Sequence, residues 1–177
     1  MKFQLFRASR LYPTRAGRSD YLKMRRPIYD VIREMELPYR WLPALAAHCR
    51  RRGVVFFASA FDEESVDRLD PYVAVHKIAS YELTHLPLIQ HAAKTGKPIL
   101  LSTGTSTLQE VAMTMAALRK LGCASVMLMQ CTAAYPAPIE SLNVRAVPTL
   151  KARFGVPVGL SDHSRDPVIG PVAAVAL

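Results

Sequence analysis

The stretch "PILLSTGTSTLQEVAMTMAALRKLG", residues 98–122, sets an apolar run, a polar turn and an amphipathic pattern in direct succession. The run 98–104 reads as a buried strand. Ser106 and Gln109 have the spacing of a capping box. Leu108, Val111, Ala112, Met115 and Leu118 then fall on one helical stripe, and Gly122 supplies the stop. A strand that feeds a helix through a short polar turn is one β/α unit.

The same unit recurs along the chain. "VVFFASAF" (54–61) reads as a strand, and "DEESVDRL" after it as a helix with acids in its first turn, as the helix dipole favours. "VAVHKIAS" (73–80) is the next strand, followed by the helix "LPLIQHAAKTG". "SVMLMQCT" (125–132) and "VPVGLSDH" (156–163) are two more, separated by a looser segment with a helix over 141–154. "MKFQLF" at the start reads as a further strand, and "PVIGPVAAVAL" begins a last helix. Short strands alternating with helices build a parallel sheet.

The 177 residues suffice for one domain with a real core, and half of them are hydrophobic. No apolar run has the length of a membrane span, and the first residues lack the apolar core of a signal peptide, so a cytoplasmic location is expected. Cys49, Cys123 and Cys131 lack metal-site spacing and read as reduced structural thiols. The net charge of +9 lies wholly in residues 1–53, with thirteen Lys/Arg against four Asp/Glu. Without a recognition-helix pattern or interleaved aromatics, this excess reads as a solvated helical surface rather than a nucleic-acid patch.

Two parallel architectures compete, an open doubly wound sheet and a closed barrel. No strand is followed by a Gly-rich dinucleotide loop or a phosphate-loop lysine, which removes the usual support for the open sheet. Polar residues instead gather at strand ends: Ser59; Lys77, Ser80 and Glu82; Ser102 and Thr103; Gln130 and Thr132; Ser161, Asp162 and His163. In a TIM-type (β/α)8 barrel all such ends open on the face that carries the active site. Lys77 interrupts an apolar strand, and Lys2 has a similar place beside Gln4. A lysine in a strand buried on both sides is costly unless it meets an anion. Either lysine alone is as well explained by snorkelling; together with the nearby hydroxyls they favour a site for a small dianion such as a phosphorylated carboxylate. His163, at a strand end, is a candidate for metal binding or proton transfer, but one histidine does not make a metal site.

"KIASYE", "PLIQHAAKTGKPILLSTGTSTLQE", "QCTAAYPAPIESLNVRA" and "FGVPVGLSDHSRDP" resemble, in order and spacing, the N-acetylneuraminate (sialic acid) synthase family, over residues 1–177. The resemblance implies a β/α barrel that condenses phosphoenolpyruvate with an N-acetylated amino sugar, N-acetylmannosamine foremost, and releases phosphate. It implies a divalent metal, Mn2+ or Mg2+, and a homodimer in the full-length protein, with neither membrane nor nucleic acid as partner. By matching position, Lys2, Lys77, Ser80, Ser102 and Ser161 would contact phosphoenolpyruvate. Gln4, Glu82 and Tyr135 would face the sugar, Ser59 would contribute a hydroxyl, and His163 would bind the metal. Pseudaminic, legionaminic and spore-coat polysaccharide synthases share "KIASYELTHLPLI"-like stretches, and Tyr81 and Thr84 are candidates for selecting the sugar.

The family barrel begins one strand earlier, in a segment with a glutamate. It ends one strand later, in an "EKHF"-like motif with a second metal histidine, and an antifreeze-like domain follows. These 177 residues contain none of them. The expectation is therefore about six of eight β/α units, a truncated chain with little activity of its own. The competing reading is an inactive chain that binds an acidic partner through its basic first third.

Overall fold

The computed structural model describes residues 1–20, 23–123 and 125–177. The chain forms two compact units, Met1–Ala74 and Val75–Leu177. In the first, β1 (Lys2–Leu5) pairs in parallel with β2 (Phe57–Ala60), with Lys2 opposite Phe57 and Gln4 opposite Ser59. Among the described residues, the connection between them holds α1 (Ala8–Leu11), α2 (Ile28–Glu34), a 3-10 turn at Tyr39–Trp41 and α3 (Leu42–Arg51). After β2 comes α4 (Glu63–Leu69), capped by Asp62, whose carboxylate accepts from Ser65 N at 2.7 Å and Ser65 Oγ at 2.8 Å.

The basic stretches lie on α2, α3 and their flanks. Arg25, Arg26, Arg40 and Arg50 to Arg52 are exposed, and Arg26 pairs with Glu34 at 2.7 Å on the surface. A second cluster orders the unit internally: Arg7 lies 3.6 Å from the centre of the Tyr39 ring and donates to Leu37 O at 3.0 Å, while Glu36 accepts from Ala8 N at 2.8 Å.

The second unit is a run of parallel β/α connections. Strands β3 (His76–Ile78), β4 (Ile99–Ser102), β5 (Val126–Cys131) and β6 (Val158–Ser161) pair in chain order. Helices α5 (Leu86–Lys94), α6 (Leu108–Lys120) and α7 (Ala146–Phe154) connect them, and α8 (Ile169–Val175) follows β6. Ile78, Ile99, Leu101 and Leu128 from the strands and Leu88, Ile89 and Leu118 from the helices are core residues with almost no exposure. The α/β class with parallel strands is as expected.

Several boundaries differ from expectation. The strand expected over 73–80 shrinks to His76–Ile78, because Asp70–Tyr72 form a 3-10 turn before it and Ser80–Glu82 another after it. The helix expected over 141–154 begins at Ala146, since Ile139–Ser141 are a separate 3-10 turn. The capping box is shifted by one residue. Thr107 is the cap: its N–H donates to Glu110 Oε2 at 2.7 Å, and Glu110 N donates to Thr107 Oγ1 at 3.2 Å. Ser106 instead closes the turn on Thr103 O. The buried stripe of α6 moves accordingly to Val111, Thr114, Met115 and Leu118, leaving Leu108 exposed. Gly122, at φ +70°, ends α6 in the left-handed region that other residues avoid.

Removing the α6 cap by Thr107→Ala is expected to lower stability by about 1 kcal/mol in urea denaturation. The Thr107 amide and hydroxyl hold the Glu110 carboxyl below its ordinary value. A depressed folded value contributes stability above the unfolded carboxylate pKa and loses it as pH falls through the folded value. The gap in midpoint between the wild type and Glu110→Gln should therefore close on acidification; a gap constant with pH would contradict this.

Candidate active site

The site candidates of the second unit lie at or just past the ends of its strands. Lys77 is 4% exposed, within a strand whose three residues are all buried. Its Nζ donates to Ile78 O and to Ser102 Oγ, each at 2.6 Å. Ser102 closes β4 and is itself buried. Because Ser102 Oγ accepts from an ammonium, its own O–H is left to donate elsewhere.

Ser80 repeats this arrangement. Its Oγ accepts from Gly104 N at 3.0 Å, and its carbonyl accepts from Thr105 Oγ1 at 2.9 Å. The β4–α6 loop is held from the other side by Thr103, whose N and Oγ1 both donate to Met129 O, at 3.1 and 3.2 Å. Gly104 passes so near β5 that a Cβ there would lie 2.4 Å from Cys131 O. A buried ammonium, and hydroxyls whose protons these bonds do not use, are groups of the kind that bind an oxyanion.

His163 belongs to a second cluster. Its Nδ1–H donates to Thr132 O at 3.2 Å, and Cys131 Sγ lies 3.6 Å from the same nitrogen. Ala137 N donates back to His163 O at 2.9 Å, and the Tyr135 ring lies 4.4 Å from the imidazole, centre to centre. Desolvation raises the Tyr135 phenol above its usual value, with smaller contributions from Cys131 and Tyr81. With the proton on Nδ1, the neutral ring keeps a lone pair on Nε2. Ser161, at the end of β6, stands opposite Cys131 in the register.

The residues around His163 form the turn that carries it. Asp162 accepts from Ser164 N at 2.8 Å and from Ser164 Oγ at 3.1 Å. Asp166 Oδ1 accepts from Val168 N and Ile169 N, both at 2.8 Å, and these bonds hold its carboxyl below the usual range. Among the described residues, no group of three or more His, Cys, Asp or Glu side chains is placed to hold a metal ion. The imidazole of His163 by itself does not make a metal site.

Glu82 and His85 form a third contact, Oε2 to Nδ1 at 3.2 Å, on the turn after β3. Sequence patterning passes over His85, since its spacing places it merely before a helix. Gln130 is taken up by structure: its Nε2 donates to Leu142 O at 3.2 Å. In the first unit, Ser59 is buried and stands opposite Gln4. Lys2 and Gln4 are exposed, which corrects the expectation that Lys2 lies buried like Lys77. On β1 it is Leu5 that turns inward, so burial imposes no need for an anion on Lys2. The three cysteines are free thiols.

The whole chain, residues 1–177, matches the family described as the NeuB family. The chain belongs to the NeuB family. It is similar to the spore coat polysaccharide biosynthesis protein SpsE of Bacillus subtilis, 37% identical over all of this chain and 48% of that protein. It is also similar to the N,N'-diacetyllegionaminic acid synthase of Campylobacter jejuni, 35% identical over all of this chain and 55% of that one. Among solved structures, the N-acetylneuraminic acid synthetase of Leptospira borgpetersenii superposes with a TM-score of 0.84 at 27% identity, covering 99% of this chain and 57% of that one. The chain thus spans about half the length of these relatives. Membership agrees with the sialic acid synthase motifs in the sequence. No helix among the described residues is long and apolar enough to cross a membrane.

Gly104→Ala should drive the β4–α6 loop off the Cys131 carbonyl and cost at least about 2 kcal/mol, the scale of overpacking a buried contact. A denaturation midpoint equal to wild type would show that the loop does not need this approach.

Proposed function

We propose that this NeuB-family chain is the catalytic part of a synthase that joins phosphoenolpyruvate to an N-acetylated amino sugar, giving a nonulosonic acid and inorganic phosphate. In this reading its six strands belong to a TIM-type (β/α)8 barrel. The observation that carries it is the Lys77–Ser102 pair: a buried ammonium bonded to a hydroxyl that can in turn donate to an oxyanion.

In the reaction, the enol carbon of phosphoenolpyruvate forms a bond to the aldehyde carbon of the open-chain sugar. Water adds at the adjacent carbon, and the carbon–oxygen bond to phosphate breaks. Lys77, with the hydroxyls of Ser80, Ser102 and Ser161, would hold the phosphate and carboxylate. Their fixed donors orient the enol carbon and spare it the reorganisation that water would need. For the first unit, the family resemblance proposes Lys2, Gln4 and Ser59 as substrate contacts. Glu82 and Tyr135 would bind the sugar. A divalent cation, Mn2+ or Mg2+, belongs to the proposal, with His163 supplying one nitrogen; the described residues do not complete its shell, and no step is assigned to it.

N-acetylmannosamine is the first sugar to test. A diacetylated sugar is the second reading, supported by 35% identity along the whole chain to a protein named as a diacetyllegionaminic acid synthase. Phosphate release measured with phosphoenolpyruvate and a panel of acetylated amino sugars separates the two. Lys77→Met should lower the affinity for phosphoenolpyruvate, read by titration calorimetry, at least tenfold, on the scale of about 1.4 kcal/mol or more. Unchanged affinity in that variant would refute the anion site.

A further inference from the structure

The turn after β3 carries a side-chain pair, Glu82, proposed above to bind the sugar, and His85, to which no role has been given. Glu82 N donates to Ala79 O at 3.1 Å and His85 N to Glu82 O at 3.0 Å, so successive turn bonds set residues 82 and 85 side by side. Thr114 Oγ1, from the buried stripe of α6, donates to Leu83 O at 2.8 Å and ties the turn to that helix. Leu83 is fully buried beneath it. The backbone is therefore anchored on both sides of the pair, and His85 Nδ1 reaches Glu82 Oε2 at 3.2 Å. The Glu82 side chain is 16% exposed and that of His85 is 40% exposed.

Resting on the function proposed above, we infer that His85 is a positioning residue that holds the Glu82 carboxylate for the amino sugar. An ionised carboxylate only accepts, so the nitrogen facing it must carry the proton. His85 thus donates through Nδ1 to Oε2. This fixes the rotation of a carboxylate that is mostly out of water, and leaves the second oxygen to accept from a hydroxyl or amide N–H of the sugar. His85 acts through Glu82 and needs no contact with phosphoenolpyruvate, whose proposed ligands, Lys77, Ser80 and Ser102, are bonded through other atoms. The greater exposure of His85 means that its removal opens no core cavity.

The test combines an NMR reading with kinetics, on the unsubstituted protein and on His85→Ala, His85→Gln and Glu82→Ala. Long-range nitrogen–proton correlation should show neutral His85 with its proton on Nδ1, moving to Nε2 in Glu82→Ala. A proton on Nε2 in the unsubstituted protein overturns the inference. In phosphate-release assays, His85→Ala should raise KM for the amino sugar or lower kcat by about tenfold. It should leave KM for phosphoenolpyruvate within about twofold, and His85→Gln, which keeps an N–H donor, should recover most of the loss. Equal losses toward both substrates, or no recovery in His85→Gln, would mean a general structural role and overturn the inference. Because little turnover is expected of these 177 residues alone, the kinetic assays use the longer chain encoded by the same reading frame, and no phosphate release by it would overturn the proposed reaction and with it the part of His85 in it. The Glu82–His85 bond itself would still be judged by the proton position.

Discussion

The ammonium of Lys77 sits in a strand that is buried at every position, and much of the second unit follows from solvating it. Taking a lysine head group out of water costs several kcal/mol unless hydrogen bonds replace the lost hydration. Two of those bonds are the carbonyl of the next residue and the hydroxyl of Ser102, at the end of the neighbouring strand. The second requires the β3–β4 register that sets Lys77 opposite Leu100, so that Ser102 lies within reach. The loop after Ser102 must then hold its place. Thr103 secures it to β5 and Gly104 to Ser80, at a distance from Cys131 that permits no side chain. The solvation of one charge thus links the ends of β3, β4 and β5.

The end of β6 meets a different need. "SDHSRDP" is both a turn and a candidate site, and its residues divide the work. Asp162, Ser164 and Asp166 spend their polar atoms on backbone groups within the turn and on the start of α8. His163 alone turns its ring to β5, where the Thr132 carbonyl fixes which nitrogen carries the proton and Tyr135 covers one face. The return bond from Ala137 to the His163 carbonyl makes the two loops hold each other. A ring restrained at an edge, a face and the backbone is oriented before any ligand arrives, which lowers the entropic cost of binding.

Much of this was legible in the chain. The strand–turn–helix alternation, the lysine inside "VAVHKIAS" and the polar residues at strand ends all appear as local patterns. The misreadings are local as well. "STLQ" and "TLQE" overlap as capping signals, and only the reciprocal bonds of Thr107 and Glu110 decide between them. Lys2 and Lys77 look alike as lysines in short apolar strands, yet one is exposed and the other is 4% exposed. Burial depends on what packs against a strand, which the strand's own residues do not encode. His85 gave no signal, because its value lies in the turn that brings it back to Glu82.

The sequence by itself determined the parallel α/β class, the NeuB membership and the residues that stand at the strand ends. These rest on periodicity and on long motifs, which are properties of neighbouring residues. Only the tertiary structure decided that Lys77 bonds Ser102, that Ser80 takes the amide of Gly104, and that His163 meets Thr132. These partners lie 25, 24 and 31 residues apart along the chain. Strand register and loop anchoring bring them together, and both are set by packing between elements rather than by the order of residues within one.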